Sequence, residues 1–283
     1  MKIIILIHCA DRGGIISSVT TFIKESKGNV VYLDQHVDKS IDAFFMRLES
    51  EFDPKTFVPQ DFKRQFSAKV AQQYAIQWSM HTEDVWPRMA LFVSKYNHCL
   101  YDLLSRFYAR ELKAHIPFIL SNHPDLKPIA DQFNIPFYHV PVGKWNKKEA
   151  EREHLALLKK HQVDFVVLAR YMQIVGKDLI DAYPNKIINI HHSFLPAFAG
   201  AKPYHAAFER GVKIIGATSH YVTEDLDEGP IIEQDVTYVT HAHSIKHFIA
   251  KGRDLEKIVL SRAVKLHLDR KTMVHNNKTI IFS

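Results

Sequence analysis

The sequence is poor in the features that would place it in several large classes of protein. Its 283 residues hold two cysteines, Cys9 and Cys99. These are too few and too far apart for a disulfide framework, which points to a reducing, cytoplasmic setting. No apolar run approaches the roughly 18 residues of a membrane span, so no membrane partner is expected. The opening Lys2-Ile3-Ile4-Ile5-Leu6-Ile7-His8-Cys9 has an apolar core shorter than the roughly 7 to 15 residues of a secretory leader, and it reads as a strand. A basic tract is also missing. The 37 Lys+Arg against 31 Asp+Glu give a formal charge of +6 spread along the chain, with no RNA- or DNA-binding motif. That pattern argues against a nucleic-acid partner and leaves a mild attraction for small anions. Eighteen histidines invite a metal. However, His191-His192 and His241-Ala242-His243 lack cysteine or carboxylate companions at zinc spacings, so no metal is expected.

What is present is an ordinary globular composition, 46% apolar and 24% charged, in a chain long enough for two domains. The first is expected over residues 1–84. After the opening strand, Ala10-Asp11-Arg12-Gly13-Gly14 makes a turn. Ile15, Ile16, Val19, Phe22 and Ile23 then recur at helical spacing up to Gly28-Asn29, a left-handed helix end. Segments 30–37 and 43–49 follow as a hairpin around Asp38-Lys39-Ser40. Pro59 opens a second helix with Phe62, Phe66, Val70 and Tyr74 on its apolar face, and Ile76, Trp78 and Met80 alternate as a last strand. Strand, helix, strand, strand, helix, strand is the ferredoxin-like βαββαβ plan.

Residues 85–283 are expected as the second domain, entered through Trp86-Pro87-Arg88. Strands near 89–93, 117–120, 137–140, 165–169 and 187–190 alternate with helices near 100–108, 126–133, 147–160 and 177–182. This is the pattern of an α/β, doubly wound, mostly parallel sheet. Beyond it lie a loop at 200–204, strands at 214–222 and 231–239, a long helix over 243–269 that Gly252 interrupts, and a short closing pair of strands around Asn276-Asn277. No Gly-x-Gly-x-x-Gly follows the first strand of this domain, so no nucleotide cofactor is expected.

The chemistry concentrates in residues 187–230. Ile187-Ile188-Asn189-Ile190 reads as a buried strand that carries Asn189 and His191 to its carboxyl end, where ligands bind in open α/β sheets. Two residues apart on an extended chain, their side chains point the same way. A carboxamide and an imidazolium both donate hydrogen bonds, as a developing oxyanion requires. Asp227, in a loop closed by Gly229-Pro230, would favour the protonated histidine and carry protons to and from water. Ala169-Arg170-Tyr171-Met172-Gln173-Ile174-Val175 leaves a strand toward the same edge, placed to line a ligand pocket.

Taken together, these elements resemble the signature of formyltetrahydrofolate-using enzymes. That signature is Asn189-x-His191-x-Ser193-x-Leu195-Pro196, followed about thirty residues later by Ser219-His220-x-Val222-x-x-x-Leu226-Asp227-x-Gly229-Pro230-Ile231-Ile232. The resemblance makes Asn189, His191 and Asp227 the catalytic set. It gives Met172, Gln173, Ile174 and Val175 the pterin ring of a 10-formyltetrahydrofolate substrate, with no added cofactor. The catalytic residues fit formyl transfer to water or to an amine alike. The whole chain, including His191-His192-Ser193-Phe194-Leu195-Pro196 and Gly200-Ala201-Lys202-Pro203-Tyr204-His205, resembles the deformylase branch. That branch uses water and releases formate and tetrahydrofolate, in one-carbon balance and in formate supply for purine biosynthesis. A non-catalytic folate or amino-acid binder is the further alternative, and the intact catalytic set argues against it. The first domain resembles an ACT domain, which implies effector binding at Asp11, Gly13 and Gly14. Ala10 stands there in place of the usual preceding proline. Glycine and methionine are the first effectors to consider, and a homo-oligomer is implied because such domains pair between subunits.

Overall fold

In this computed structural model the described residues are 1–197 and 203–283. They divide into two compact units, Met1–Trp86 with Ile281–Ser283, and Pro87–Ile280.

The first unit runs β1 (Lys2–Ala10), α1 (Ile15–Glu25), β2 (Asn29–Asp38), β3 (Ala43–Glu51), α2 (Pro59–Phe66), a π turn (Ser67–Ala71), α3 (Gln72–Tyr74) and β4 (Gln77–Thr82). Its sheet is antiparallel in the order β2-β3-β1-β4, which is the ferredoxin-like arrangement expected. Alternation explains the core. Ile3, Ile5 and Ile7 are fully buried on one face of β1 and pack with Val19, Phe22, Phe62 and Phe66 of the two helices. Each such side chain stabilises the unit by roughly 1.5–3 kcal/mol. The end of α1 differs from the expectation: Lys27 takes the left-handed φ of 60°, and Gly28 instead lets the Phe52 ring come close.

The second unit contains β5 (Met89–Val93), α4 (His98–Tyr108), β6 (Ile119–Ser121), α5 (Lys127–Gln132), β7 (Phe137–His139), α6 (Lys147–Lys160), β8 (Phe165–Leu168), α7 (Lys177–Ala182) and β9 (Ile187–His191). It continues with α8 (Pro203–Arg210), β10 (Ile214–Tyr221), β11 (Ile231–Tyr238), α9 (Ile245–Leu268), β12 (Thr272–His275) and β13 (Lys278–Ile281), the last residue of which is counted with the first unit. Among the described residues the main sheet has the order β11-β10-β9-β8-β5-β6-β7. It is parallel from β9 to β7, and β10 is antiparallel to both its neighbours. Central strands buried on both faces explain the unbroken apolar runs: every residue of β5 and β8 is buried.

Two local expectations are corrected. Gly252 does not interrupt α9, which runs unbroken because the packed faces of Leu255, Val259, Ala263 and Val264 hold it. Pro203 and Tyr204 open α8 rather than closing a loop, and the rest of that expected loop, Gly200 to Lys202, lies outside the described residues. No helix of the described residues is long and apolar enough to cross a membrane.

Candidate active site

β9 ends between parallel β8 and antiparallel β10, and its last residues reach a cavity of about 440 Å³. Asn189 and His191 both line it. Directly across the β9–β10 ladder from Asn189 stands His220, whose Nε2 lies 3.2 Å from Asn189 Nδ2. His220 Nδ1 lies 2.9 Å from the Tyr221 carbonyl. A carbonyl only accepts, so Nδ1 carries the hydrogen and Nε2 accepts from the carboxamide.

Asp227 arrives from the loop between β10 and β11. The loop turns tightly because Asp227 adopts a left-handed φ of 58° and Gly229 presses on β10. A Cβ on Gly229 would fall 1.8 Å from the Tyr221 carbonyl oxygen. The Asp227 carboxylate then faces two imidazoles, with Oδ2 3.2 Å from His191 Nδ1 and Oδ1 3.6 Å from His220 Nε2. The hydrogen bond from His191 first, with the His220 imidazole close beside it, holds its carboxyl well below the ordinary carboxylate range. His191 Nε2 is buried with no hydrogen-bond partner among the described residues. An oriented histidine with one free nitrogen, a carboxamide and a fixed carboxylate can polarise a carbonyl, move a proton and stabilise an oxyanion.

Met172, Gln173, Ile174 and Val175 line this same cavity, together with Arg170, Tyr171 and the segment 222–227. Their loop is held by its backbone: Met172 N donates to Ser94 Oγ at 3.0 Å, and that hydroxyl donates to Asn122 Oδ1 at 2.6 Å. Met172 and Ile174 remain exposed at 46% and 60%, so the mouth offers apolar surface to a flat ring.

The formyl transferase family profile matches residues 87–264. The formyltetrahydrofolate deformylase of Synechocystis sp. is 50% identical over 279 residues, covering 99% of this chain and 98% of that protein. The chain belongs to the formyltetrahydrofolate deformylase family. A crystal structure of the deformylase from Pseudomonas syringae pv. tomato superposes with a TM-score of 0.97 at 44% identity, covering 100% of this chain and 95% of that one. The glycinamide ribonucleotide transformylase 1 of Symbiobacterium toebii matches less of it: TM-score 0.67, 26% identity, 70% of this chain and 95% of that one.

Sequence reasoning on this deformylase-family chain passed over His220, although the residue sits inside the Ser219-His220-x-Val222 element. It lacked the ladder register that sets His220 opposite Asn189. The loop expected to leave its strand toward the edge that carries Asn189 does so: residues 172–175 line the same cavity as Asn189, His191 and Asp227. Asp11, Gly13 and Gly14 lie in the first unit, at the turn from β1 into α1. Gly14 takes a φ of 93° as the residue before the helix, and Asp11 N donates to the Asp42 carbonyl at 2.9 Å. Gly13 has open space around it.

One group of three donors, His98, Cys99 and Glu256, is close enough among the described residues to hold a metal. Its carboxylate is already engaged by His98 at 2.7 Å, by Tyr204 at 2.6 Å and by the Arg170 guanidinium at 3.4 Å. A resident arginine cation repels a metal ion there.

Proposed function

We propose that this chain hydrolyses 10-formyltetrahydrofolate to formate and tetrahydrofolate. The observation that carries the reading is the single cavity in which Asp227 faces His191 and His220 beside Asn189, while residues 172–175 offer the apolar mouth. Asn189 and His191 would stabilise the oxyanion of the tetrahedral intermediate. Asp227 would hold the imidazole ring and assist the proton that passes from the attacking water to the departing folate nitrogen. The protein's own donors supply the polarisation, so the reaction as read needs no metal and no cofactor. Transfer to an amine is the weaker reading, because the transformylase likeness covers 70% of the chain and the deformylase likeness covers all of it. The site serves one-carbon balance, with formate as a purine precursor, in a cytoplasmic homo-oligomer.

The ferredoxin-like sheet order of the first unit supports reading it as an ACT-like regulatory domain. We assign it an amino-acid effector, glycine or methionine first, received at the Asp11-to-Gly14 turn. The test of the catalytic reading is incubation with 10-formyltetrahydrofolate, with and without candidate amines and with and without chelator, while formate is measured. Formate release without an amine, unchanged by chelator, is expected. Tetrahydrofolate that forms only when an amine is supplied overturns the hydrolase reading.

A further inference from the structure

Helix α9 presents Gly252 and Glu256 one turn apart, on one face. A Cβ at position 252 would lie 2.1 Å from Tyr204 Cζ, so only glycine admits that ring. With the ring seated over Gly252, the Tyr204 hydroxyl donates to Glu256 Oε1 at 2.6 Å. The second oxygen, Oε2, lies 2.7 Å from His98 Nε2 on α4 and 3.4 Å from Arg170 Nε. Glu256 is 1% exposed, and a carboxylate so far from water is costly unless it is fully partnered. Burial alone would raise its pKa. His98, Arg170 and Tyr204 outweigh that effect and hold the carboxyl below its ordinary value, so it stays ionised.

The partners of this buried charge border the reaction centre. Arg170 is the first residue of the loop that lines the cavity. Its φ is 64°, and its guanidinium lies over the Tyr96 ring at 5.0 Å. Tyr204 meets His192 edge to face at 5.9 Å, and the His192 ring lies 5.2 Å from that of His191. Glu256 itself does not line the cavity. Its contacts run from one helix to both walls of the site.

We propose that Glu256, with Gly252 as its slot, is a positioning residue for the reaction: through Arg170 it sets the 170–175 loop, and through Tyr204 and His192 it sets the ring of His191. This rests on the hydrolase reading. The two arms predict separable kinetics, because a loop that receives the ring governs affinity and an imidazole that faces the carbonyl governs turnover. A side chain that served stability alone would change neither constant selectively.

The test is steady-state kinetics on the full-length chain, with folding monitored by circular dichroism and thermal melting. Arg170→Met is expected to raise KM about tenfold with kcat nearly kept, and Tyr204→Phe to lower kcat about tenfold with KM nearly kept. Glu256→Gln is expected to do both. The double variant Glu256→Gln/Tyr204→Phe should be no slower than the slower single variant, because both act through one contact. If Glu256→Gln does not fold, Gly252→Ala takes its place, since it expels the Tyr204 ring and leaves the carboxylate intact. A folded Glu256→Gln or Gly252→Ala chain with wild-type KM and kcat overturns the proposal, as do losses that multiply in the double variant. If wild type releases no formate, the hydrolase reading has failed. The positioning claim then stands or falls on tetrahydrofolate affinity, measured by fluorescence titration. Arg170→Met and Glu256→Gln must weaken that binding together, and unchanged binding in both sinks it.

Discussion

His191 Nδ1 lies 3.2 Å from Asp227 Oδ2, and the opposite nitrogen of the same ring, Nε2, is buried without a hydrogen-bond partner among the described residues. A buried polar atom left unpaired costs about 1–3 kcal/mol, and such atoms cluster where a ligand completes them. On the hydrolase reading proposed above, the carboxylate fixes the ring so that its free nitrogen meets the substrate. Asp227→Asn removes the charge and keeps the shape, and His191→Ala removes the ring. Either change is expected to lower kcat by about a hundredfold or more, the scale of losing a proton-transfer or oxyanion group. Folate affinity should fall much less. Stopped-assay formate release with parallel tetrahydrofolate titration reads both quantities, and near-normal turnover in either variant would remove these two residues from the mechanism.

His220 offers a second test. Its Nδ1 is tied to the Tyr221 carbonyl at 2.9 Å and its Nε2 meets the Asn189 carboxamide at 3.2 Å, so the ring orients Asn189. His220→Phe fills the volume but cannot accept that hydrogen bond. A fall in kcat of about tenfold is expected, the value of one misplaced donor at an oxyanion. Asn189→Ala should abolish most of the additional effect of His220→Phe in a double-variant cycle. If the two losses multiply, the carboxamide is oriented by something else.

Much of this arrangement was legible in the sequence because it depends on local pattern. The alternation in β1 and the apolar run of β5 each announce a buried strand, and Pro59 marks a helix start that the structure keeps. Asn189 and His191 could be paired from strand periodicity alone. What could not be read depends on contacts between distant segments. His220 joins Asn189 only through the β9–β10 register. Gly252 looked like a break in α9 because the Tyr204 ring that needs its missing side chain lies 48 positions earlier in the chain. Lys27, not Gly28, took the left-handed helix end because the glycine was already required by the Phe52 ring.

The first unit supplies a prediction of regulation. The α1 N-terminus follows Gly14, whose φ of 93° disfavours other residues, and a side chain there would also stand 3.1 Å from the Tyr74 hydroxyl. Glycine or methionine is expected to change the formate rate by several-fold in wild type and much less in Gly14→Val. Mass in solution should be that of an oligomer, with or without ligand. Rates that ignore every amino acid tested, in a chain that stays monomeric, would leave this unit without the assigned role.

Stability should depend on pH through a residue outside the catalytic set. His154 on α6 is buried among Phe92 and Tyr171, at ring distances of 5.4 and 6.2 Å, and its Nε2 has no hydrogen-bond partner among the described residues. Burial lowers its pKa from 6.5 to about 4, because the charged ring is poorly solvated there. The sign follows from proton counting. Between these two values the unfolded chain binds a proton at His154 and the folded chain does not, so acid pulls the equilibrium toward unfolding. Stability from this residue is complete above pH 6.5, declines as the pH falls toward 4, and is constant below it. At about 1.36 kcal/mol per unit the decline amounts to roughly 3 kcal/mol at most. His154→Leu keeps an apolar side chain in the site and removes the titration, so its urea midpoint should fall less than that of wild type between pH 7 and pH 5. Parallel midpoint curves for the two chains would show that the proton is taken up elsewhere.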